Sequence, residues 1–304
     1  MTVRRTTTLL SAPLSAPLSA LVLLAGCSDP APPASAPSTR PSAASNTVSP
    51  PRFDALEQEF GARLGVFAVD TGSGRTVEHR ADERFAFAST YKALAAAAVL
   101  DSGADLATRI PVTDLVDHSP VTGEHVGGTM SLGEVAEAAV TVSDNTAGNL
   151  LFDQLGGPTG FEADLRALGD TVTESARTEP GLNRWNPGEV DDTSSPRAFA
   201  ADLRAYAVGE TLDAADRDVF TGWLRGNTTG SEQIRAGVPT GWVVGDKTGH
   251  AGRYGNQNDV GVVWPSGGRA PWVVVVFSDR PGLDDESDPA LVARAAGLVV
   301  DALS

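Results

Sequence analysis

The spacing of apolar residues changes several times along the chain, and each change marks an element. Phe53, Leu56 and Phe60 recur at helical spacing and predict an amphipathic helix. Leu64–Val69 and Thr76–Arg80 read as two strands, and Asp70-Thr71-Gly72-Ser73-Gly74 between them is a turn sequence, so the pair predicts a hairpin. Ser89–Leu100 is alanine-rich, with hardly a polar residue after Lys92. A helix that is apolar all round is a buried one. Helical patterns then dominate to about Leu224. Ser131-Leu132-Gly133-Glu134 is a capping box, Asn145–Leu155 runs into Gly156-Gly157, and Ser194-Ser195-Pro196 supplies a cap and a first turn. The 19 residues from Glu174 to Asp192 show no period, and loops of that length inside a folded region usually carry function. Strand character returns at Trp242–Gly245, Asn258–Trp264 and Pro271–Ser278. A last helix follows, capped by Asp288, opened by Pro289 and faced by Leu291, Val292, Ala295, Leu298 and Val299.

Strands at both ends and helices between them predict an α+β fold. One antiparallel sheet is built from both termini and flanked by terminal helices, with an all-helical part inserted. Residues 52–81 and 225–304 form the α/β part and 82–224 the helical part. A cleft between two such parts is a common ligand site.

The first 51 residues follow none of these patterns. Arg4 and Arg5 precede a broken apolar stretch that ends Leu24-Ala25-Gly26-Cys27, the layout of a secretory signal over residues 1–26. The ending resembles a bacterial lipoprotein cleavage box, which would make Cys27 the lipidated first residue. Seven of the 24 residues Ser28–Pro51 are proline and most others are Ala or Ser, so residues 27–51 read as a lipidated cysteine and an extended tether.

Composition narrows the chemistry. Acidic residues outnumber basic ones 39 to 23, a net charge of −16, which argues against a nucleic-acid footprint. With one cysteine there is no intrachain disulfide and no cysteine-rich zinc site, and His79, His118, His125 and His250 have no zinc spacing. Of the 23 basic residues, 21 are arginine; the lysines are Lys92 and Lys247 alone. Lysine, unlike arginine, shifts its pKa readily and can act as a base.

Lys92 stands three residues after Ser89, so both share one face at the start of the buried helix. A serine needs an adjacent base to become a nucleophile, and burial lowers a lysine's pKa toward that task. Lys247 stands in Asp246-Lys247-Thr248-Gly249, at the end of a strand. Ser143-Asp144-Asn145 lies in a turn between helices, and Glu179-Pro180-Gly181-Leu182-Asn183 lies in the long loop, its carboxylate and amide spaced to hold a water.

Together, Ser89-Thr90-Tyr91-Lys92, Ser143-Asp144-Asn145 and Lys247-Thr248-Gly249 resemble the signature of the penicillin-recognising serine enzymes. Arg177-Thr178-Glu179-Pro180-Gly181-Leu182-Asn183, ending Asp191-Asp192-Thr193, looks like the omega loop of a class A β-lactamase. Ser119-Pro120-Val121-Thr122 and Arg235-Ala236-Gly237-Val238-Pro239 extend the likeness over Phe53–Ser304. The resemblance implies a serine hydrolase that opens the β-lactam amide and confers β-lactam resistance. It implies Ser89 as the acylated nucleophile, Lys92 as its activator, Ser143 as proton donor to the leaving nitrogen, and Glu179 with Asn183 on the hydrolytic water. Asn145 would bind the substrate's side-chain amide, and Lys247, Thr248 and Gly249 its carboxylate end. The N–H groups of Ser89 and His250 would form the oxyanion hole, and Arg177 with Asp192 would pair to fix the loop. No cofactor or metal is implied. The expected partners are β-lactam antibiotics and, through Cys27, the outer side of the cell membrane; the chain is expected to be a monomer.

Three features, at four positions, depart from the family. Gln233 and Gln257 stand where an arginine usually grips the substrate carboxylate. His118 replaces an aromatic gate, and His250 a small residue. Arg253, six residues after Lys247, is a candidate substitute for the missing arginine, the alternative being a solvent-facing charge. Two other functions share parts of this pattern: a D,D-peptidase, which lacks the deacylating carboxylate that Glu179 supplies, and a non-catalytic β-lactam-binding lipoprotein, against which intact Ser89, Lys92, Ser143 and Glu179 argue.

Overall fold

Strands from the two ends of the sequence meet in one sheet. The computed structural model describes residues 52–304; the expected signal peptide, Cys27 and the tether lie outside the described residues. In chain order the first half comprises α1 (Phe53–Phe60), β1 (Arg63–Asp70), β2 (Thr76–His79), β3 (Phe85–Ala86), α2 (Tyr91–Asp101), β4 (Arg109–Pro111), β5 (Thr129–Ser131), α3 (Leu132–Thr141), α4 (Asn145–Leu155) and α5 (Pro158–Leu168). The second half comprises β6 (Thr193–Ser194), α6 (Pro196–Ala207), α7 (Ala214–Arg225), α8 (Ile234–Gly237), β7 (Val243–Gly249), β8 (Asn258–Trp264), β9 (Trp272–Asp279) and α9 (Pro289–Leu303).

The main sheet has the order β2-β1-β9-β8-β7, antiparallel throughout. Its central strand β9 is buried along its whole length, so no polar alternation shows in Trp-Val-Val-Val-Val-Phe. The period of two is still present, divided between two cores. Val273, Val275 and Phe277 join the core with α2, α6 and α7, whereas Trp272, Val274 and Val276 join the core with α1 and α9.

The expected hairpin, buried helix and caps are present. Asp70 Oδ1 accepts from Gly72 N at 2.9 Å and closes the β1–β2 turn. Ser131 and Glu134 form a reciprocal capping box on α3, Asp144 caps α4 and Ser195 caps α6. Two expectations need correction. Residues 82–224 are not all helical: β3 pairs with β6 and β4 with β5. These strands are two and three residues long, too short to leave a period in the sequence. The strand expected at Trp242–Gly245 runs instead from Val243 to Gly249, because Lys247, Thr248 and Gly249 pair with Val260, Asp259 and Asn258 of β8. Its polar second half hides strand character from a hydropathy reading.

Candidate active site

The site is assembled where α2, the α3–α4 turn, the long loop and β7 converge. Ser89 lies in a 3-10 turn, Ala88–Thr90, directly before α2, so its side chain stands at a helix N-terminus where negative charge is favoured. One turn on, Lys92 is wholly buried and donates to Ser89 Oγ at 2.9 Å. Its Nζ also meets the Ser143 carbonyl at 3.0 Å, Asn145 Oδ1 at 2.5 Å and Glu179 Oε1 at 3.0 Å. Burial pushes the Lys92 pKa below that of an ordinary lysine, with Glu179 pulling the other way.

Close helix packing makes this reach possible. A Cβ on Gly148 of α4 would stand 2.5 Å from the Tyr91 hydroxyl and 2.7 Å from Lys92 Cε, so only glycine lets α2 and α4 approach there. Ser143, with φ 60, occupies the left-handed region that non-glycine residues rarely adopt. Asp144 anchors that turn: its carboxylate accepts from Val121 N, Thr122 N, Thr122 Oγ1 and Ala147 N. Lys247, also wholly buried, donates to Ser143 Oγ at 3.0 Å and to the Thr248 carbonyl at 2.7 Å. Burial drives its pKa well below the lysine range and the Lys92 charge adds to that effect, against Asp259, Asp246 and Glu179. Gly249 brings β7 against the Ser89 turn, since an added Cβ would lie 2.8 Å from the Phe87 carbonyl oxygen.

The long loop delivers Glu179 from the other side. Its Oε1 accepts from Ser89 Oγ at 3.2 Å, and its Oε2 accepts from Asn183 Nδ2 at 2.6 Å. The amide is therefore bonded directly to the carboxylate, without a gap between them. Asn149 of α4 clamps the Glu179 backbone in both directions, donating to its carbonyl at 2.9 Å and accepting from its N–H at 2.8 Å. Buried Asp192 accepts from Ala176 N, Arg177 N and Arg177 Nε and ties the loop's ends together. The expected Arg177–Asp192 pair is thus present.

Ser89, Ser143, Asn145, Asn183, Thr248 and His250 open onto one cleft of about 500 Å³. His118, Gln233 and Gln257 line it too. A hollow of about 560 Å³ elsewhere, walled by Trp185, Arg84 and Arg280, holds none of these groups. Of the two readings open for Arg253, the contacts favour the one without a carboxylate role: it does not line the cleft, and its Nη2 donates to Asn186 Oδ1 at 3.3 Å. Asn145 is occupied, its Oδ1 by Lys92 and its Nδ2 by the Asp117 carbonyl at 2.8 Å. Sequence reasoning passed over Gly148, Asn149 and Thr229, whose hydroxyl meets that of Thr248 at 2.6 Å. Asn149 carried one legible signal, its place four residues after Asn145 on the same helix face. Among the described residues, no group of three or more His, Cys, Asp or Glu side chains is arranged to hold a metal ion.

The family described as "Beta-lactamase enzyme family" matches residues 51–303. The chain belongs to this family. A β-lactamase of Bacillus amyloliquefaciens is 51% identical over 256 residues, covering 83% of each chain. A β-lactamase of Amycolatopsis lactamdurans is 53% identical over 255 residues, covering 83% of this chain and 84% of that one. The crystal structure of a class A β-lactamase from Clostridium kluyveri superposes with a TM-score of 0.81 at 40% identity, over 83% of this chain and 97% of that chain. The protein is a class A serine β-lactamase, and its substrates are β-lactams.

Proposed function

We propose that this β-lactamase works through an acyl-enzyme on Ser89 that Glu179 resolves. The observation carrying this reading is the position of Ser89 Oγ, 2.9 Å from Lys92 Nζ and 3.2 Å from Glu179 Oε1. The Ser143 carbonyl and Asn145 Oδ1 can only accept, so two Lys92 hydrogens are committed to them. The third position on Nζ faces Ser89 and Glu179, and there a proton is exchanged. Ser89 loses its proton to the Lys92–Glu179 pair as its Oγ attacks the lactam carbonyl. The N–H groups of Ser89 and His250 receive the developing oxyanion, each such donor contributing about 3–4 kcal/mol. Ser143, polarised by Lys247, passes a proton to the lactam nitrogen as the C–N bond breaks. Glu179, held by Asn183, then takes a proton from the water that releases the product.

Ser89→Ala should abolish both adduct and turnover of benzylpenicillin. Glu179→Ala should still acylate and then stall, seen as one penicillin-sized mass increment on the intact protein. Turnover near the wild-type rate in Glu179→Ala would refute this assignment, and a stable adduct on the wild-type protein would instead indicate a peptidase-like acceptor.

We also infer that Cys27 is lipidated and holds a monomeric enzyme on the outer side of the cell membrane through residues 28–51, whose extended reach is about 75 Å. The Leu24-Ala25-Gly26-Cys27 ending and the proline-rich stretch after it support this. Cys27→Ser should release enzyme into the medium; wild-type enzyme that is already soluble and unlipidated would overturn the inference.

A further inference from the structure

The tip of the long loop and the end of the sheet enclose a hollow of about 560 Å³ that shares no lining residue with the Ser89 cleft. On one side stand Trp185, Pro187 and Val190 of the loop; Val190 is 52% exposed although apolar. Trp185 is buried and directly follows the turn Gly181–Arg184 that carries Asn183. On the other side stand Arg84, just before β3, and Arg280 and Pro281, just after β9. An occupant therefore bridges the loop that holds Glu179 and the main sheet. The volume and the mixture of apolar wall with a few polar groups are those of small-molecule sites.

Every acid that borders the hollow is already answered. Arg63 grips Asp279 with two bonds, at 3.0 Å and 2.5 Å, and reaches Glu83 at 3.2 Å. Glu83 also accepts from Arg80 at 3.0 Å, and Glu189 from Arg177 at 3.3 Å and Asn186 Nδ2 at 2.7 Å. Two arginines are left over. Arg84 gives one donor to the neutral Thr193 hydroxyl at 3.0 Å, and the Arg280 guanidinium has no hydrogen-bond or ion-pair partner among the described residues. Both are held in place. The Arg280 stem lies on Gly255, where an added Cβ would stand 2.6 Å from Arg280 Cδ, and the Arg84 carbonyl accepts from Arg63 Nη2 at 2.9 Å. Binding therefore has little side-chain freedom left to remove. A guanidinium fork matches the flat pair of oxygens of a carboxylate, and an aromatic ring matches the indole of Trp185.

We propose that this hollow is a second ligand site, separate from the reacting cleft, and that it takes an aromatic monocarboxylate. The carboxylate lies on the heads of Arg84 and Arg280, and the ring rests against Trp185 and Val190. The two halves of the recognition are separable. A bare inorganic anion meets the guanidinium heads but leaves the apolar wall uncovered, and a neutral aromatic amide covers the wall but brings no charge. No bond is made or broken at this site. The ligand binds only the folded chain, so it stabilises that state.

The test titrates the whole enzyme with 1-naphthylacetate by isothermal calorimetry. The acid should bind once per chain with a Kd of about 1 mM or tighter, and at about ten times that Kd it should raise Tm by about 3–6 °C. The neutral 1-naphthylacetamide, and inorganic phosphate, which has no ring, should each bind about tenfold more weakly or worse. Arg280→Gln changes a side chain without a bonded partner and should fold as the wild type does. It should weaken the acid about ten- to a hundredfold and leave the acetamide unchanged, and Arg84→Gln should do the same. No saturation by about 10 mM acid, an acetamide or phosphate bound as tightly as the acid, or an unchanged Kd in either variant overturns the proposal. So does a rise in KM for benzylpenicillin at unchanged kcat, which would place the acid in the Ser89 cleft.

Discussion

Gly148→Ala is the smallest change that should separate activity from stability in this site. The added methyl would lie 2.7 Å from Lys92 Cε and 2.5 Å from the Tyr91 hydroxyl, where ordinary contacts begin near 3.4 Å. Lys92 must then retreat by about 0.7 Å, which carries its Nζ from 2.9 Å to the edge of hydrogen-bond distance from Ser89 Oγ. Overpacking of this kind costs about 1–3 kcal/mol, and replacing a mid-helix glycine by alanine returns about 0.5–1 kcal/mol. The net loss of about 0.5–2 kcal/mol corresponds to a fall in Tm of about 1–8 °C for a chain of this size. The catalytic loss is larger, because a misplacement approaching 1 Å costs on the order of a hundredfold in rate. Tyr91→Phe added to Gly148→Ala removes the hydroxyl clash, whose oxygen is buried and without a partner, and leaves the Lys92 clash in place. The double variant should therefore recover part of the lost Tm but not kcat/KM. Scanning calorimetry and benzylpenicillin hydrolysis read the two effects separately. A single variant within threefold of wild-type kcat/KM would refute the claim that helix contact at Gly148 sets the Lys92 position.

Three further outcomes follow from contacts outside the reacting groups. Asp202 is buried, its Oδ2 has no partner, and burial with Asp170 nearby pushes its carboxyl up to about 9. An acid raised in the folded state binds a proton that the unfolded chain has lost above about pH 4, so stability falls as pH rises from there toward 9. Asp202→Asn should raise Tm, more at pH 8 than at pH 5, and an equal gain at both pH values would refute the protonated assignment. Asp192→Ala leaves three N–H groups of the loop without their acceptor and should lower stability by about 2–4 kcal/mol while slowing turnover; an unchanged urea midpoint would contradict it. Arg253→Ala breaks a contact to the loop tip, not to the cleft, and should change kcat/KM on benzylpenicillin less than about threefold; a loss of tenfold or more would restore Arg253 as a carboxylate anchor.

Local rules carried most of the fold. Wherever a side chain answers its own backbone, as at the Ser131–Glu134 box, the Ser195 cap or the Asp70 turn, the residue type alone predicts the element. Short pairings are the opposite case. Phe85–Ala86 and Thr193–Ser194 form a ladder only because tertiary packing brings them together, and two residues have no period. The same limit hid the second half of β7, where strand pairing with β8 overrides a polar composition. In the site, the side chains that converge on Ser89 were legible by type and spacing, whereas their supports were not. Gly148 acts through the space it leaves, Asn149 through backbone bonds to a loop 30 residues away, and Thr229 through a hydroxyl 19 residues from its partner.

The scarcity of lysine and the burial of both lysines have a common physical reason. An ammonium can lose its proton when desolvated, and a guanidinium cannot. Lys92 and Lys247 both reach Ser143 Oγ, at 3.5 Å and 3.0 Å, so two cations would crowd one hydroxyl if both stayed charged. Their mutual repulsion lowers Lys247 further, while Glu179 at 3.0 Å favours the charged form of Lys92. Arginine at either place would keep its proton against that repulsion and could neither give nor take one. The arginines instead serve where a fixed fork is useful: Arg235 on Asp246 and Arg63 on Asp279, the latter joining β1 to β9. Asp246 links the two uses, since the carboxylate that Arg235 holds also pulls on Lys247, the next residue of β7. Loss of Arg235 would therefore reach the reacting centre through Asp246, without any contact to substrate.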